Sequence, residues 1–240
     1  MRRVVIIGAS SGIGKEVANL YLNRGYHVGI AARREDRLLA IKQQAPERVV
    51  TATIDVTADD APRRLRSLIQ ELGGMDLFFY ASGIGKQNRT LEPGIELDTM
   101  NTNAVGFTRM VSEAYRYFAE NGGGHIAAIT SIAGTKGLGP APAYSATKAM
   151  QNVYLQSLEQ QANARGLKIR FTDIRPGFVD TDLLAGDFRY PLMLKPDKVA
   201  RHIVRAVDHH RHIAVIDWKY AIITALWRRL PRALWRRLRL

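Results

Sequence analysis

Cysteine is absent from the 240-residue chain, which excludes disulfide bonds, thiolate nucleophiles and thiolate metal ligands. This absence is typical of a reducing compartment, so we expect a cytoplasmic protein. Long apolar runs are also lacking. The run from Tyr220 to Trp227 has eight residues, against the ~20 of a membrane-spanning helix. The four apolar residues from Val4 to Ile7 are too few for a signal peptide, so we expect neither export nor a transmembrane segment.

Acidic residues are few compared with basic ones, at 22 Asp and Glu against 35 Lys and Arg, for a net charge of +13. The excess is uneven, because the stretch from 218 to 240 carries seven basic residues and no acidic one. With 46% hydrophobic and 24% charged residues, the remainder has the composition of one folded domain. We therefore predict a single domain over 1–217, followed by a basic tail over 218–240.

Short β-branched segments alternate with longer segments of helical period, a pattern typical of parallel βαβ units. The predicted strands are Arg3 to Ile7, His27 to Ala31, Val49 to Ile54, Leu77 to Tyr80, His125 to Thr130, Ile169 to Ile174 and Ile213 to Ile216. The main predicted helices are Gly12 to Arg24, Ala61 to Leu72, Gly94 to Glu120, Ala143 to Arg165 and Asp197 to Val207. The pattern predicts an α/β, Rossmann-type, doubly wound parallel sheet of about seven strands with helices on both faces, which binds ligands at the carboxyl ends of its strands.

A glycine-rich loop, Gly8-Ala9-Ser10-Ser11-Gly12-Ile13-Gly14, joins the first predicted strand to the first predicted helix. Its glycines permit a tight turn and the close approach of a pyrophosphate, whose charge the helix N-terminus stabilises. The alternative is a plain tight turn without a ligand. The spacing and its position between strand and helix favour a dinucleotide site.

The second predicted strand ends in Ala31-Ala32-Arg33-Arg34, where an NAD-binding fold would place an acidic residue. An arginine there suits a 2′-phosphate, so NADP(H) is favoured over NAD(H). The alternative is a solvated arginine pair that opens the next helix. Asp55, after the third strand, could contact the adenine or could cap the turn with Thr57.

Ser131, Tyr144 and Lys148 form a candidate proton-transfer set. The i, i+4 spacing places Tyr144 and Lys148 on one helix face, where an ammonium would favour the phenolate and lower its pKa. The phenol would exchange a proton with a carbonyl or alcohol oxygen, and the serine hydroxyl would orient that oxygen. The alternatives are an exposed Tyr–Lys pair and a turn serine.

With these motifs the chain resembles the short-chain dehydrogenase/reductase family from Arg3 to about Ile216. The resemblance implies that Asn103, before Gly106, completes a proton relay by holding a water, and that Arg33 binds the 2′-phosphate. It also implies that Thr181 contacts the nicotinamide carboxamide and that the helices over 94–120 and 143–165 build a homodimer or homotetramer. The other expected cofactor contacts are Ser10, Ser11, Ile13, Arg34, Asp55, Val56, Ala81, Ser82, Gly83, Tyr144, Lys148, Pro176, Gly177 and Val179.

The sequence departs from the family pattern at two places. Ile7 stands where the family usually has Thr, and Tyr80-Ala81-Ser82-Gly83 replaces an Asn-Asn-Ala-Gly turn. Both changes remove polar groups that tie the central strands together and contact the adenosine side. We expect them to affect cofactor affinity more than chemistry.

The segment between Thr181 and Pro196, where the family shapes its substrate pocket, is short and apolar. We expect a lipophilic carbonyl or secondary alcohol as substrate, or else packing of the lid alone. The residues that suggest this are Leu183, Leu184, Phe188, Tyr190, Leu192 and Met193.

The basic tail is amphipathic from Leu226 onward, with Leu226, Trp227, Leu230, Leu234 and Leu238 on one side and arginines on the other. Pro231 should divide it into two short helices. The pattern favours contact with an anionic membrane surface, at the inner face of a membrane. The competing interpretations are packing on the body or a partner subunit, and nonspecific contact with nucleic acid, whose specific binding we do not expect.

His209, His210 and His212 have no further ligand at a convincing spacing, so we expect no metal site. The sequence as a whole predicts an NADP(H)-dependent oxidoreductase of a small carbonyl or alcohol. The alternative is a dinucleotide-binding regulatory or interaction protein with little turnover. The presence of a complete Ser, Tyr, Lys and Asn set favours the enzyme.

Overall fold

One parallel sheet organises the computed structural model, which describes residues 2–184 and 190–238. The strands in chain order are β1 (Arg3–Ile7), β2 (His27–Ala32), β3 (Val49–Thr53), β4 (Leu77–Tyr80), β5 (Gly124–Ile129), β6 (Ile169–Pro176) and β7 (Ile213–Ile216). Their spatial order is β3-β2-β1-β4-β5-β6-β7, and every neighbouring pair is parallel. The predicted doubly wound α/β fold is confirmed.

Helices cover both faces of this sheet, and alternating residues of each strand serve the two layers. The helices are α1 (Gly12–Asn23), α2 (Glu35–Lys42), α3 (Ala61–Glu71), α4 (Pro93–Met100), α5 (Phe107–Glu120), α6 (Pro142–Ala164), α7 (Pro196–Asp208), α8 (Trp218–Arg229) and α9 (Arg232–Trp235). In β1, Val4 and Ile6 pack with α1, α2 and α7, whereas Val5 and Ile7 pack with α3, α5 and α6. Burial on both faces explains the continuous apolar runs of the strands.

The strand order reverses between β1 and β4, which are neighbours in the sheet although two strands separate them in sequence. In open α/β sheets the crevice beyond such a reversal is where ligands bind. The loops that begin at Gly8 and Ala81 lie at this crevice, since Ile7 pairs with Tyr80 at the ends of the two strands. The fold therefore places the glycine loop at the expected ligand edge.

The helix predicted over 94–120 is not continuous. A π-helical segment, Asn101–Gly106, separates α4 from α5. The π segment coincides with polar contacts of Asn103, whose side chain bonds to the backbone of Ile84. Gly106 has no Cβ, which allows this segment to lie against Val56. Helical periodicity does not reveal such an insertion, because the residues on either side keep their helix propensity.

The basic tail forms α8 and α9, and Pro231 separates them as the sequence predicts. The expected grouping of Leu226 with Trp227 on one face is wrong. The helix begins at Trp218 and packs on the body through Tyr220, Thr224 and Trp227, so that Leu226, one residue earlier than Trp227, points to solvent and is 64% exposed. In the part of the chain that the structure describes, no helix combines the length and apolarity needed to cross a bilayer.

Candidate active site

The glycine loop needs its glycines for steric reasons. Gly8 and Gly12 have φ values of +89° and +54°, which side chains strongly disfavour. A Cβ on Gly8 would lie 2.6 Å from the backbone nitrogen of Ser82, and a Cβ on Gly14 would collide with the Gly8 carbonyl. The loop is therefore folded tightly against the turn after β4, and it leaves the N-terminus of α1 open.

Two arginines stand at the rim of this loop. The Arg34 guanidinium donates hydrogen bonds to the Ser10 hydroxyl at 3.0 Å and to the Ser11 hydroxyl at 2.7 Å, and it contacts Asp182 at 3.4 Å. Arg33 is exposed and forms no hydrogen bond or ion pair with any residue that the structure describes. The positive charge of Arg33, directly after β2, helps to lower the pKa of Asp55 and is not used in a hydrogen bond with a described residue.

The remaining expected cofactor contacts line two sides of the loop. Ala81 and Ser82 touch it directly, whereas Thr181 approaches from the other side, with its methyl group 3.1 Å from where a Cβ of Gly12 would be. Val179 is buried and pairs with Leu194. Ile13 lies in the first turn of α1, and the members in the surrounding strand ends and loops are Val56, Gly83, Pro176 and Gly177.

Asp55 caps its own turn. Its carboxylate accepts hydrogen bonds from the backbone nitrogen of Thr57 at 2.9 Å and from the hydroxyl of Thr57 at 2.7 Å. These bonds, of which the backbone bond is the stronger influence, lower the pKa of Asp55. Of the two interpretations in the sequence, the structure shows the turn cap.

Ser131, Tyr144 and Lys148 come together at the carboxyl ends of β5 and β4. Ser131 begins a short 3-10 turn, Ile132–Thr135, and its hydroxyl oxygen accepts a hydrogen bond from the backbone nitrogen of Ala133 at 3.0 Å. The hydroxyl hydrogen is therefore free to be donated. Tyr144 lies against the backbone of Gly85, where a Cβ would be 2.8 Å from the ring.

Lys148 is 4% exposed, and its ammonium has two fixed acceptors. It donates to the carbonyl of Ile129 at 3.1 Å and to the side-chain oxygen of Gln151 at 3.0 Å. Nζ lies 5.7 Å from the centroid of the Tyr144 ring. Burial lowers the pKa of Lys148 to about 8, partly opposed by the negative charge of Asp173. The ammonium therefore titrates close to neutral pH.

The pKa of Tyr144 does not follow the expectation from its spacing to Lys148. Burial, the largest influence, raises the pKa of Tyr144, and the Ser131 hydroxyl only partly opposes this. The i, i+4 spacing reveals the charge of the neighbouring ammonium, but it does not reveal the loss of water around the phenol. A phenol with a raised pKa keeps its proton at neutral pH, so Tyr144 carries a proton there.

Asn103 is fully buried and anchors the loop after β4. Its side-chain oxygen accepts from the nitrogen of Ile84 at 2.8 Å, and its side-chain nitrogen donates to the Ile84 carbonyl at 2.7 Å. The Asn103 backbone carbonyl accepts from Nε2 of Gln151 at 2.7 Å. Asn103 therefore reaches Lys148 through a side chain, Gln151, that the sequence reasoning did not single out.

Three polar residues behind the catalytic cluster were missed from the sequence. Gln151 lies one helical turn after Lys148, on the same inward face of α6, and this i, i+3 spacing of polar residues was the available signal. Asp173 and Arg175 are buried and paired, with Nε of Arg175 2.8 Å from the carboxylate, which also accepts from the Thr130 hydroxyl. Their signal was two charges at i and i+2 in an apolar strand, where both face the same side.

The two departures from the family pattern are filled by apolar packing. Ile7 is 1% exposed within the core, and Tyr80 is fully buried with its ring edge-on to Phe107 at a centroid distance of 5.1 Å. The Tyr80 hydroxyl has no hydrogen-bond partner among the residues that the structure describes. Packing of the rings between β4 and α5 therefore occupies the place of the expected polar tie.

The predicted lid is partly described. Leu183 and Leu184 form a 3-10 turn, Asp182–Leu184, whereas Phe188 lies outside the described residues. Tyr190 stacks on Phe178 at a centroid distance of 4.7 Å, and it is close enough to Tyr144 to affect the pKa of that phenol. The lid thus brings an aromatic ring towards Tyr144. Two of its apolar members, Leu192 and Met193, are exposed.

The tail helices touch the rim of the same site. The Tyr220 hydroxyl donates towards the carbonyls of Pro191 and Leu192 in the lid, each at 3.1 Å. Nε1 of Trp227 donates to the Thr135 hydroxyl at 2.7 Å, and Nε1 of Trp235 donates to the Gly137 carbonyl at 2.8 Å. These two loop residues follow Ser131, so the tail braces both the lid and the serine loop.

Comparison with known proteins agrees with this geometry. A family model described as short chain dehydrogenase matches residues 2–189. The chain belongs to the short-chain dehydrogenase family. Membership makes this chain an oxidoreductase of the type that interconverts alcohol and carbonyl groups. Within the described part of the chain, no group of three His, Cys, Asp or Glu side chains could hold a metal ion.

Relatives and solved structures support the family assignment. An uncharacterized oxidoreductase of Myxococcus xanthus is 31% identical over 240 residues, covering 97% of this chain and 94% of that protein. An uncharacterized oxidoreductase of Mycobacterium tuberculosis is 30% identical over 246 residues, covering 98% of this chain and 96% of that protein. The structure of ElxO with NADP bound has a TM-score of 0.81 at 23% identity, covering 92% of this short-chain dehydrogenase and 99% of ElxO. The closed form of serine dehydrogenase complexed with NADP+ has a TM-score of 0.80 at 23% identity, covering 89% and 94%.

Proposed function

We propose that this short-chain dehydrogenase uses NADP(H) to interconvert a lipophilic carbonyl compound and the corresponding secondary alcohol. The observation that carries the proposal is the junction of two sets of residues at one edge of the sheet. A glycine loop with an unengaged arginine adjoins a buried Tyr144–Lys148 pair and a serine hydroxyl with a free hydrogen. Together these groups can bind a dinucleotide and transfer one proton beside it.

The residues present fit a dinucleotide carrying a 2′-phosphate. The glycine loop leaves no room for a Cβ at Gly8 or Gly14, so the backbone can approach a pyrophosphate closely. Arg33, directly after β2, offers a cation for a phosphate, and Ser10 and Ser11 of the loop, which contact Arg34, offer hydroxyl groups. NADP(H) is therefore favoured, and NAD(H) is the alternative. Bound NADPH would supply the hydride to the carbonyl carbon.

The chain's own residues handle the proton. Tyr144 keeps its proton at neutral pH and donates it to the carbonyl oxygen as the alcohol forms. The Lys148 ammonium stabilises the phenolate that this donation leaves behind. The Ser131 hydroxyl, whose oxygen accepts from Ala133, donates its hydrogen to the same substrate oxygen.

Cofactor preference is tested by calorimetric titration of the protein with NADPH and with NADH. We expect NADPH to bind more tightly, and Arg33→Ala to weaken NADPH binding by about 10- to 100-fold, the equivalent of a charge-assisted hydrogen bond, with no change for NADH. Arg211→Ala, at the exposed opposite edge of the sheet, is the matched control. Equal affinity for both nucleotides, or an Arg33→Ala variant that binds NADPH normally, would contradict the assignment.

The lipophilic substrate is supported by the apolar lid beside Tyr144. We expect kcat/KM to be higher for long-chain or aromatic ketones than for small sugars, because apolar surface and few donors line the lid. Leu183→Asn should lower kcat/KM for apolar ketones several-fold, whereas Ile213→Asn, exposed at the start of β7, should not. A panel in which sugars are the better substrates would overturn this part of the proposal.

The alternative function is a dinucleotide-binding regulatory or interaction protein with little turnover. Under it, substitution of Tyr144 would leave any residual turnover unchanged. The buried Lys148 with its fixed acceptors favours the enzyme, because a binding protein has no use for a desolvated ammonium.

We also infer a homodimer or homotetramer built on the long helices. Exposed apolar side chains on these helices support it, namely Leu97, Met100, Val105 and Val153. Light scattering during size-exclusion chromatography should give a mass of two or four chains for the wild type, and a smaller mass for Val153→Glu. A monomeric wild type would contradict the inference.

We further propose that the tail over 218–240 packs on the catalytic domain over 1–217 with its inner face and binds an anionic membrane surface from the cytoplasmic side with its outer face. The support is a face with Trp218, Ile222 and Leu226 exposed by 68%, 50% and 64%, together with seven basic and no acidic residues in the tail. This outward face, and not the one with Trp227, would contact lipid.

Sedimentation with phosphatidylglycerol vesicles tests the membrane contact. The wild type should pellet with these vesicles but not with phosphatidylcholine vesicles, and Leu226→Glu should remain in the supernatant while Leu39→Glu, exposed on α2, should pellet. Pelleting of Leu226→Glu like the wild type would contradict the proposal. So would a change of oligomeric mass in that variant, which would make the face a protomer interface.

A further inference from the structure

Gln151 forms a two-sided bridge between the catalytic lysine and the π-helical segment. Its side-chain oxygen accepts from Nζ of Lys148 at 3.0 Å, and its side-chain nitrogen donates to the Asn103 carbonyl at 2.7 Å. Gln151 and Asn103 are both 0% exposed. The bridge links α6 to the Asn101–Gly106 segment, which is π-helical and not α-helical.

The orientation of the amide is fixed by chemistry. An ammonium can only donate and a carbonyl can only accept, so the oxygen of Gln151 must face Lys148 and its nitrogen must face Asn103. The reversed amide would place two donors together and two acceptors together. Because these groups are buried, the bridge is worth more than an exposed hydrogen bond.

We propose that Gln151 is a positioning residue that holds the Lys148 ammonium in place and maintains its charge during the reaction. The inference rests on the proposed role of Lys148 in stabilising the Tyr144 phenolate. The desolvated ammonium has two acceptors among the described residues, Gln151 and the Ile129 carbonyl, so removing Gln151 would remove one of the two. A neutral amide supplies that acceptor without adding a negative charge beside the phenol.

A second consequence concerns proton exchange. The amide of Gln151 neither gains nor loses a proton near neutral pH, so no proton passes along it between Lys148 and Asn103. The side of Lys148 that faces Asn103 is thereby occupied by a group that orients but does not relay.

Other charged groups around Lys148 do not replace Gln151. Asp173, on β6, favours the ammonium from a distance, but its carboxylate is engaged by Arg175 and Thr130. On the side of the active site, the Tyr144 ring lies near Nζ, and Tyr190 influences Tyr144. The acceptor at 3.0 Å is therefore the contact through which a single substitution can alter the charge of Lys148 most directly.

The direct test is titration of Lys148 in the cofactor-free protein. In protein labelled with 15N-lysine, the Nζ signal is assigned by its loss in Lys148→Met, and its pKa is measured in Gln151→Met and Gln151→Glu. We expect Gln151→Met to lower the pKa of Lys148 by about one unit, because a buried ammonium without its acceptor is less stable. Gln151→Glu should raise it, because a carboxylate favours the ammonium. Gln156→Met and Gln156→Glu, exposed on the same helix, are the controls that leave it unchanged.

The alkaline limb of kcat/KM should move in the same two directions. A purely structural role predicts a lower melting temperature with unchanged Lys148 pKa in both variants, and that result would overturn the proposal. If Gln151→Met does not fold, the upward shift in Gln151→Glu decides alone, and its absence overturns the proposal. Because the titration needs no turnover, it separates failure of this inference from failure of the proposed function.

Discussion

Lys148 and Leu226 lie in two regions with opposite surroundings, one buried and one exposed. Lys148 is 4% exposed, and each donor direction found in the structure ends on a fixed acceptor. Leu226 is 64% exposed on a helix that is held to the body by a few contacts of its inner face, such as that of Trp227 with Thr135. Burial lowers the pKa of Lys148 in the first region, whereas the second region exposes apolar and basic side chains to its surroundings.

Single substitutions should therefore have larger effects around Lys148 than in the tail. In the cluster around Lys148 the polar groups are buried against one another, so removing one group changes the charge or position of the next. In the tail, water and salt replace lost partners readily, and effects on the folded chain should be small. Four predictions test the contrast.

The largest effect is expected from Lys148→Met. Without the ammonium, the Tyr144 phenolate has no charge partner, and kcat/KM should fall by about 10²- to 10⁴-fold, the range typical of general acid–base groups. Lys198→Met, exposed on α7, should be unchanged in the same assay. An equal loss in both variants would remove the distinction between buried and exposed lysines.

A comparable effect on stability is expected from Asp173→Asn. The substitution leaves the buried Arg175 charge unpaired, which should lower the free energy of unfolding by about 3–5 kcal/mol in urea denaturation. Asp197→Asn breaks the exposed ion pair with Arg201 on α7 and should cost no more than about 0.5 kcal/mol. Similar losses in the two variants would contradict the account of the cluster.

The pH profile should show the titration of Lys148. Burial lowers the pKa of Lys148 to about 8, so the ammonium is present below that pH and is lost as the pH rises through it. The rate of carbonyl reduction should therefore be constant near pH 7 and fall up to tenfold per unit above about pH 8. A rate that stays constant to pH 10 would show that the ammonium is not required.

The smallest effect is expected from Trp227→Phe in the tail. The change removes the hydrogen bond to Thr135 and should lower the free energy of unfolding by about 0.5–1.5 kcal/mol, measured in the same urea experiment. Turnover of a soluble ketone should remain at the wild-type level. A large loss of turnover would mean that the tail contributes to catalysis and that the two regions are not separate.

The strands and most helices could be predicted from periodicity, because a parallel sheet buried on both faces needs apolar runs of fixed spacing. β1, β4 and β7 begin and end at the predicted residues. The π segment at Asn101–Gly106 could not be predicted, because it depends on contacts of Asn103 with Ile84, a residue distant in sequence. Tertiary contacts decided the local geometry there.

The residue types of the candidate site could be predicted, but their electrostatics could not. The spacing of Tyr144 and Lys148 placed them together, whereas the direction of the Tyr144 pKa depended on how many atoms bury it. The inward face of α8 shows the same limit. The sequence pattern groups Trp227 with Leu226, which the structure leaves exposed. The contact of Tyr220 with the lid shows which face of the helix is covered.

The most direct test of the central claim compares wild type and Tyr144→Phe in two assays on the same preparations. Calorimetry measures NADPH binding, and the oxidation of NADPH by an apolar ketone measures turnover. We predict nearly equal NADPH affinity and a fall in turnover of about 10²- to 10⁴-fold, because phenylalanine keeps the ring but has no proton to donate. Unchanged turnover in Tyr144→Phe would contradict the assignment of Tyr144 as the proton donor.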